Sequence, residues 1–330
     1  IALEIDRMGR EEFGRGPVLG NFFEIHTETP GEPHRFRAVE PAEERDYYPA
    51  SAAQRRLYVL HQMDTESTVY NMPKVIPVGN PDPERLNEVF TGLLLRHESF
   101  RTYFAMVNDE PVQRVVEGKT VKRDWNFQTN VFKETMPELI DGVFKSFIRP
   151  FDLSKAPLLR AGLVPVPGQG FLLMVDMHHI IGDGQSLAIL EREFSALYQG
   201  RKLPGLALQY KDYATWFNSG GTKEQYKKQA DYWLNRFSGG VPVLELPYDF
   251  TRPAVQAFEG ANISFLLDKT AVSGLKQLAR QTGTTSFMVY LALFNLLLSR
   301  LGGDDDVVVG TAVAGRPHAD LEPIIGMFVN

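Results

Sequence analysis

The feature that most constrains this chain's fold is a change of pattern around residue 180. A largely apolar run, Phe171 to Met177, leads into His178-His179-Ile180-Ile181-Gly182-Asp183-Gly184, and a helix-like pattern from Ser186 to Tyr198 leads out. A buried strand therefore ends at two adjacent histidines and gives way to a helix across a short turn. An imidazole held at a strand end beside a carboxylate is a candidate proton acceptor near neutral pH. Strand alternation turns one histidine away from the other. The glycines flanking Asp183 allow a tight turn that folds the carboxylate back, and a buried aspartate needs a cation or several donors. Hydrogen-bonded structural histidines would give the same pattern, so spacing alone leaves both readings open. A shared metal is disfavoured, because adjacent strand residues diverge.

Around this turn the chain alternates helix and strand. Residues 1–45 read as a linker or N-terminal extension, with a short helix at Glu4–Phe13 and a strand at Asn21–His26. Ser51 is a helix N-cap, with Ala53, Leu57 and Leu60 on one face. Asn71 to Val78 is a strand. Asp82 and Pro83 open a helix whose apolar face is Leu86, Val89, Phe90, Leu93 and Leu94. A strand to Phe104 pairs with Val112–Val116 across Asn108-Asp109. Glu134–Phe147 is helical, and Leu158–Val164 and Gly170–Met177 form a hairpin around Pro165-Val166-Pro167-Gly168. Tyr210 to Phe217 is an aromatic cluster, and Gly220-Gly221 break the chain before a helix at Lys223–Phe237. A proline-rich stretch places a lobe boundary inside 205–255. Strand Ala261–Leu267, helices Thr270–Thr282 and Thr285–Arg300, and strand Val307–Ala314 follow. The division expected is a lobe at 46–215, a connection at 216–255 and a second lobe at 256–330. Ending within the apolar run Ile325–Asn330 is expected of a chain that continues.

A 330-residue chain, 43% hydrophobic and 23% charged, can bury a sizeable core. A net charge of −6 without a basic stripe argues against nucleic-acid binding. The longest apolar run, Phe287 to Leu298, contains Asn295 and is too short to cross a membrane. With no basic-then-apolar leader either, a cytoplasmic protein is expected. The absence of cysteine excludes disulfides, thiolate zinc sites and a thiol nucleophile. No G-x-S-x-G, Walker A or H-E-x-x-H pattern is present, and Asp304-Asp305-Asp306 reads as a solvated turn.

The His178–Gly184 segment fits H-H-x-x-x-D-G and resembles the signature of nonribosomal peptide synthetase condensation domains, shared with chloramphenicol-acetyltransferase-like acyltransferases. Four further segments resemble the family's other motifs in the same order: Ser51–Leu60, Arg96–Phe104, Tyr210–Trp216 and Ile325–Asn330. Gly182 stands where the family often has serine. The resemblance covers roughly residues 46–330 and implies an α/β fold (α+β layered) of two chloramphenicol-acetyltransferase-like lobes in a V, the second incomplete here. It implies peptide-bond formation between two carrier-bound thioesters. Phosphopantetheine arms would be delivered by upstream and downstream peptidyl carrier domains, with a neighbouring adenylation domain and no cofactor or metal of the domain's own.

By the same resemblance, His179 is the base or the group that orients the amine, and His178 braces the turn. Asp183 is structural, paired with Arg96 or Arg101. The Gly184 N–H polarises the thioester oxygen, Tyr58 and Asn330 line the substrate tunnel, and Tyr210, Asp212 and Trp216 brace the packing. The Tyr70-Asn71-Met72-Pro73 wording leans towards an L-configured donor. An epimerisation domain, a freestanding acyl-CoA transferase and a degenerate carrier-docking module are the competing readings. Gln185-Ser186-Leu187, in place of an early tryptophan, speaks against the first.

Overall fold

The histidines stand at the end of a strand covered on both faces. In the computed structural model, which describes residues 38–127, 146–166, 170–254 and 260–329, strand β7 (Gly170–His178) pairs antiparallel with β2 (Asn71–Gly79) and with β6 (Leu159–Val166). A short β5 (Trp125–Asn126) joins β6 in parallel, giving the order β2-β7-β6-β5. Leu173 to His178 are all buried. Leu173, Val175 and Met177 belong to the main core, whereas Met174 packs with Val164 in a second cluster. By alternation Asp176 and His178 share the Met174 face. Burial on both faces explains why this strand reads as a nearly unbroken apolar run.

A second sheet, of order β1-β4-β3, contains β1 (Tyr48–Pro49), β3 (Thr102–Val107) and β4 (Glu110–Val115). Asn108 and Asp109 turn the β3–β4 hairpin with φ of 51° and 62°, the left-handed conformation that a two-residue hairpin turn demands.

Helix α1 (Ala52–Met63) starts in a capping box: Ser51 Oγ accepts from Gln54 N while Gln54 Oε1 accepts from Ser51 N. Its buried face is Gln54, Leu57 and His61, so the expected Ala53–Leu57–Leu60 face is rotated: Leu60 is exposed. The polar Gln54 turns inward because it donates to Ile180 O and Gln113 Oε1. Helix α2 (Pro83–Arg96) is capped by Asp82 and buries the five apolar residues expected of it. It packs on α3 (Gly184–Tyr198), with the rings of Phe90 and Phe194 5.8 Å apart. Each such buried side chain stabilises the fold by about 1.5–3 kcal/mol.

Helix α4 (Tyr210–Phe217) begins in a Gln209–Asp212 capping box. Helix α5 (Gly220–Arg236) includes the two glycines expected to break the chain, as its first two residues. Helices α6 (Lys269–Gln281) and α7 (Ser286–Gly302) appear where the apolar period places them. No single described helix is long and apolar enough to cross a membrane; α6 and α7 meet the length and composition test only as a pair bent by 109°.

The chain forms two compact units whose boundaries differ from the expected lobes. One contains the described residues of 36–230 together with 312–329, and the other contains those of 231–311. The segment after 311 thus belongs with the histidine-bearing unit, where Ile324, Ile325, Met327 and Phe328 are buried. The expected strands at 261–267 and 307–314 do not form among the described residues, and Ile263, Phe265 and Leu266 are exposed. The expected elements at Glu4–Phe13 and Asn21–His26, most of the Glu134–Phe147 helix, Pro167-Gly168 and Asn330 lie outside the described residues.

Candidate active site

Strand β7 delivers two histidines with opposite surroundings. His178 is buried against His61, Tyr70 and Phe151, whose rings lie 5.5, 6.3 and 6.1 Å away. Its Nδ1 accepts from Ile180 N at 3.1 Å, which puts the ring proton on Nε2. Burial pushes this imidazole down to about 3, helped by His61 and His179, so it is neutral at pH 7. It holds the turn rather than exchanging protons.

His179 begins the turn and is only half-buried. Its backbone N–H donates to Tyr70 O at 2.8 Å, and its carbonyl accepts from Gly182 N. Its Nδ1 is enclosed without a hydrogen-bond partner among the described residues. The backbone of His179 is thus held at the turn, while its ring nitrogen Nδ1 is engaged by no described residue.

Asp183 caps α3 from the other side of the turn. Its Oδ1 accepts from Ser186 N and Ser186 Oγ, both at 2.8 Å, and Oδ2 accepts from Phe328 N at 3.2 Å. Arg316 grips both oxygens, at 2.9 and 3.2 Å, from a side chain that is 3% exposed. The partner is thus Arg316, and the expectation of Arg96 or Arg101 is corrected. Arg96 bonds Glu193 at 2.9 Å and Pro204 O at 2.6 Å. Glu193 lies ten residues along α3 from Asp183, about 15 Å away. Arg101 is held by Glu98 and Val116 O.

Gly184 opens α3, and a Cβ there would meet nothing within 4 Å. Its N–H is a first-turn donor without an intrahelical partner. Gly182 has an ordinary extended backbone, but a Cβ would lie 2.7 Å from Met177 Sδ and 3.3 Å from Ser186 Cβ. A side chain there would require Met177 to move aside.

The other expected residues form the support. The Tyr210 hydroxyl donates to Met327 O and accepts from Ser51 Oγ, tying α4, α1 and the C-terminal segment together. Burial raises its phenol well above the usual range and keeps it protonated. Asp212 accepts from Ala42 N and Gln209 N, and Trp216 is buried beside Tyr213. Tyr58 is half-buried, its ring 6.5 Å from Phe104.

Sequence reasoning passed over Arg316, Ser186 and a second buried pair, Arg160–Asp176. Asp-x-x-Ser at 183–186 was a readable capping pattern. Asp176 stood inside the apolar run, a buried carboxylate by position. It meets Arg160 at 3.3 Å and Asn71 at 2.8 Å. Burial, partly countered by Arg160, raises it to about 6 and lowers Arg160 to about 10. The Arg160 guanidinium lies 3.6 Å over the Phe151 ring that edges His178.

A mixed sheet with helices packed beside it, and a histidine at a strand-to-helix turn, make this an α/β protein. Residues 44–330 match the Condensation domain family, and the chain belongs to it. It is 48% identical over 297 residues to one of the plipastatin synthase proteins of Bacillus subtilis (strain 168), covering 89% of this chain and 11% of that protein. It is 47% identical over 294 residues to tyrocidine synthase 3 of Brevibacillus parabrevis, covering 88% and 4%. The chain is thus a small part of the length of these relatives. Among solved structures it resembles the condensation domain from the Monacolin K polyketide synthase MokA, with a TM-score of 0.70 at 25% identity over 86% of this chain and 66% of that one. It also shares the fold of the X-domain from teicoplanin biosynthesis, with a TM-score of 0.73 at 24% identity over 89% and 66%.

Proposed function

We propose that this domain forms peptide bonds in nonribosomal peptide synthesis. An upstream peptidyl or aminoacyl thioester and a downstream aminoacyl thioester, each on the phosphopantetheine arm of a carrier domain, are its substrates. The downstream amine attacks the upstream thioester carbonyl, the C–N bond forms, and the C–S bond breaks. The amine proton passes to the leaving thiolate, with His179 positioned to take it and return it. The Gly184 N–H, a first-turn donor without an intrahelical partner, donates to the oxygen that gains charge in the tetrahedral intermediate. Both reactants arrive activated and no cysteine is present to form an acyl-enzyme, so holding them in line is a large share of the catalysis.

The observation that carries this reading is the contrast within the turn. His178 Nδ1 and both Asp183 oxygens are engaged in holding the turn, while His179 Nδ1 between them has no partner among the described residues. In condensation assays with two loaded carrier domains, His179→Ala is expected to lower the single-turnover rate by about 10²–10⁴-fold. The thermal midpoint should stay near that of the parent. An unchanged rate would remove His179 from the mechanism.

A further inference from the structure

A cavity of about 760 Å³ lies away from the histidine turn, between α2, the C-terminal end of α3 and the segment 200–209. Its lining includes Val89, Leu95, Leu197, Leu203 and Leu206, and Gly92 leaves room where a side chain would stand. Leu95 is 50% exposed within it.

The rest of the lining is strongly cationic: Arg85, Arg96, Arg201 and Lys202 against the single carboxylate of Glu88. In a chain of net charge −6 this is a local reversal of sign. Two of the cations are fixed in the wall. Arg85 is held by Glu88 and Leu197 O, and Arg96 by Glu193 and Pro204 O. Arg201 and Lys202 are exposed and have no ion-pair partner among the described residues. Yet their segment is pinned: Gly200 N and Arg201 N donate to Leu197 O and Ala196 O, closing the end of α3. The free charges thus stand on a set backbone beside an unfilled apolar floor.

We propose that this groove docks an acidic, leucine-bearing segment of a partner polypeptide. Carboxylates would meet Arg201 and Lys202 while apolar side chains cover Leu95 and fill the space at Gly92. A free anion would use the rim and leave the floor open to water. A nucleic acid would find no aromatic side chain in the lining on which to stack a base. The inference stands independently of the chemistry assigned to His179.

The test uses the full chain and a short fluorescein-labelled peptide of alternating glutamate and leucine, followed by fluorescence anisotropy. Saturable, salt-sensitive binding is expected. It should weaken at least about tenfold in the Arg201→Glu/Lys202→Glu double variant, whose thermal midpoint should match the parent's because both side chains are exposed. It should persist unchanged in His179→Ala. Equal binding of a lysine–leucine peptide, equal binding of a glutamate–serine peptide, or indifference to the double variant would overturn the proposal. At constant ionic strength, displacement by inorganic phosphate alone, or by phosphatidylserine vesicles, would overturn it too, in favour of a simple anion site or a lipid surface.

Discussion

Asp183 and Arg316 are each about 3% exposed in their side chains, so neither charge tolerates losing the other. Removing one member of a buried pair typically costs about 3–5 kcal/mol, because the survivor remains desolvated. Arg316→Met should therefore lower the chemical-denaturation stability by that order, and pairing it with Asp183→Asn should recover part of the loss. A single variant as stable as the parent would disprove the pairing. The buried groups on the other face of β7 make a pH prediction. Asp176 is raised to about 6 in the fold, above its unfolded value, so its contribution is complete below about pH 4 and is lost as pH rises through 6. His178 is depressed to about 3, so its contribution is lost as pH falls from about 6.5 towards 3. Between about pH 4 and 6 the two slopes oppose, each up to about 1.4 kcal/mol per pH unit. Urea denaturation across that window should show Asp176→Asn gaining stability, relative to the parent, as pH rises. A constant difference would place Asp176 at an ordinary carboxylate value.

At the scale of elements, the C-terminal segment acts as a strap. Ser99 Oγ donates to Ile325 O, Phe328 N reaches Asp183, and Gly326 lies against Tyr210, where a Cβ would overlap the ring. Gly326→Ala should displace the strap and cost about 1–3 kcal/mol, with faster limited proteolysis between residues 312 and 329. Cleavage at the parental rate would show that the segment holds without this close approach. The helices were legible because their apolar residues repeat at helical spacing and their caps are local. Asp82-Pro83 and the five core residues of α2 needed nothing beyond the segment itself. The strap was not, since a glycine required by an aromatic ring from another element leaves no local mark.

Across the whole molecule, the residues that complete the turn come from far along the chain. Arg316 lies 133 residues after Asp183, and nothing in either neighbourhood names the other. That is why the histidine turn was legible as a site while its arginine was assigned to a nearer motif. The same limit applies to the stretches at 261–267 and 307–314: β-propensity shows in the residues, but a strand exists only with its neighbour. A chain ending at residue 311 would lack both Arg316 and the strap. It should show the loose packing and dye binding of a partly folded state, measurable by near-ultraviolet circular dichroism and ANS fluorescence. Native-like spectra would show that the larger unit folds without its last segment.

The Asp183–Phe328 hydrogen bond spans 145 residues, and a ribosome lays them down one at a time. At about 5–20 residues per second, the carboxylate emerges about 7–30 s before the amide that completes its cage. During that interval the nascent chain carries both histidines but not the strap that holds the aspartate beside them. The turn matures late, so synthesis itself sets the earliest moment at which this site can work.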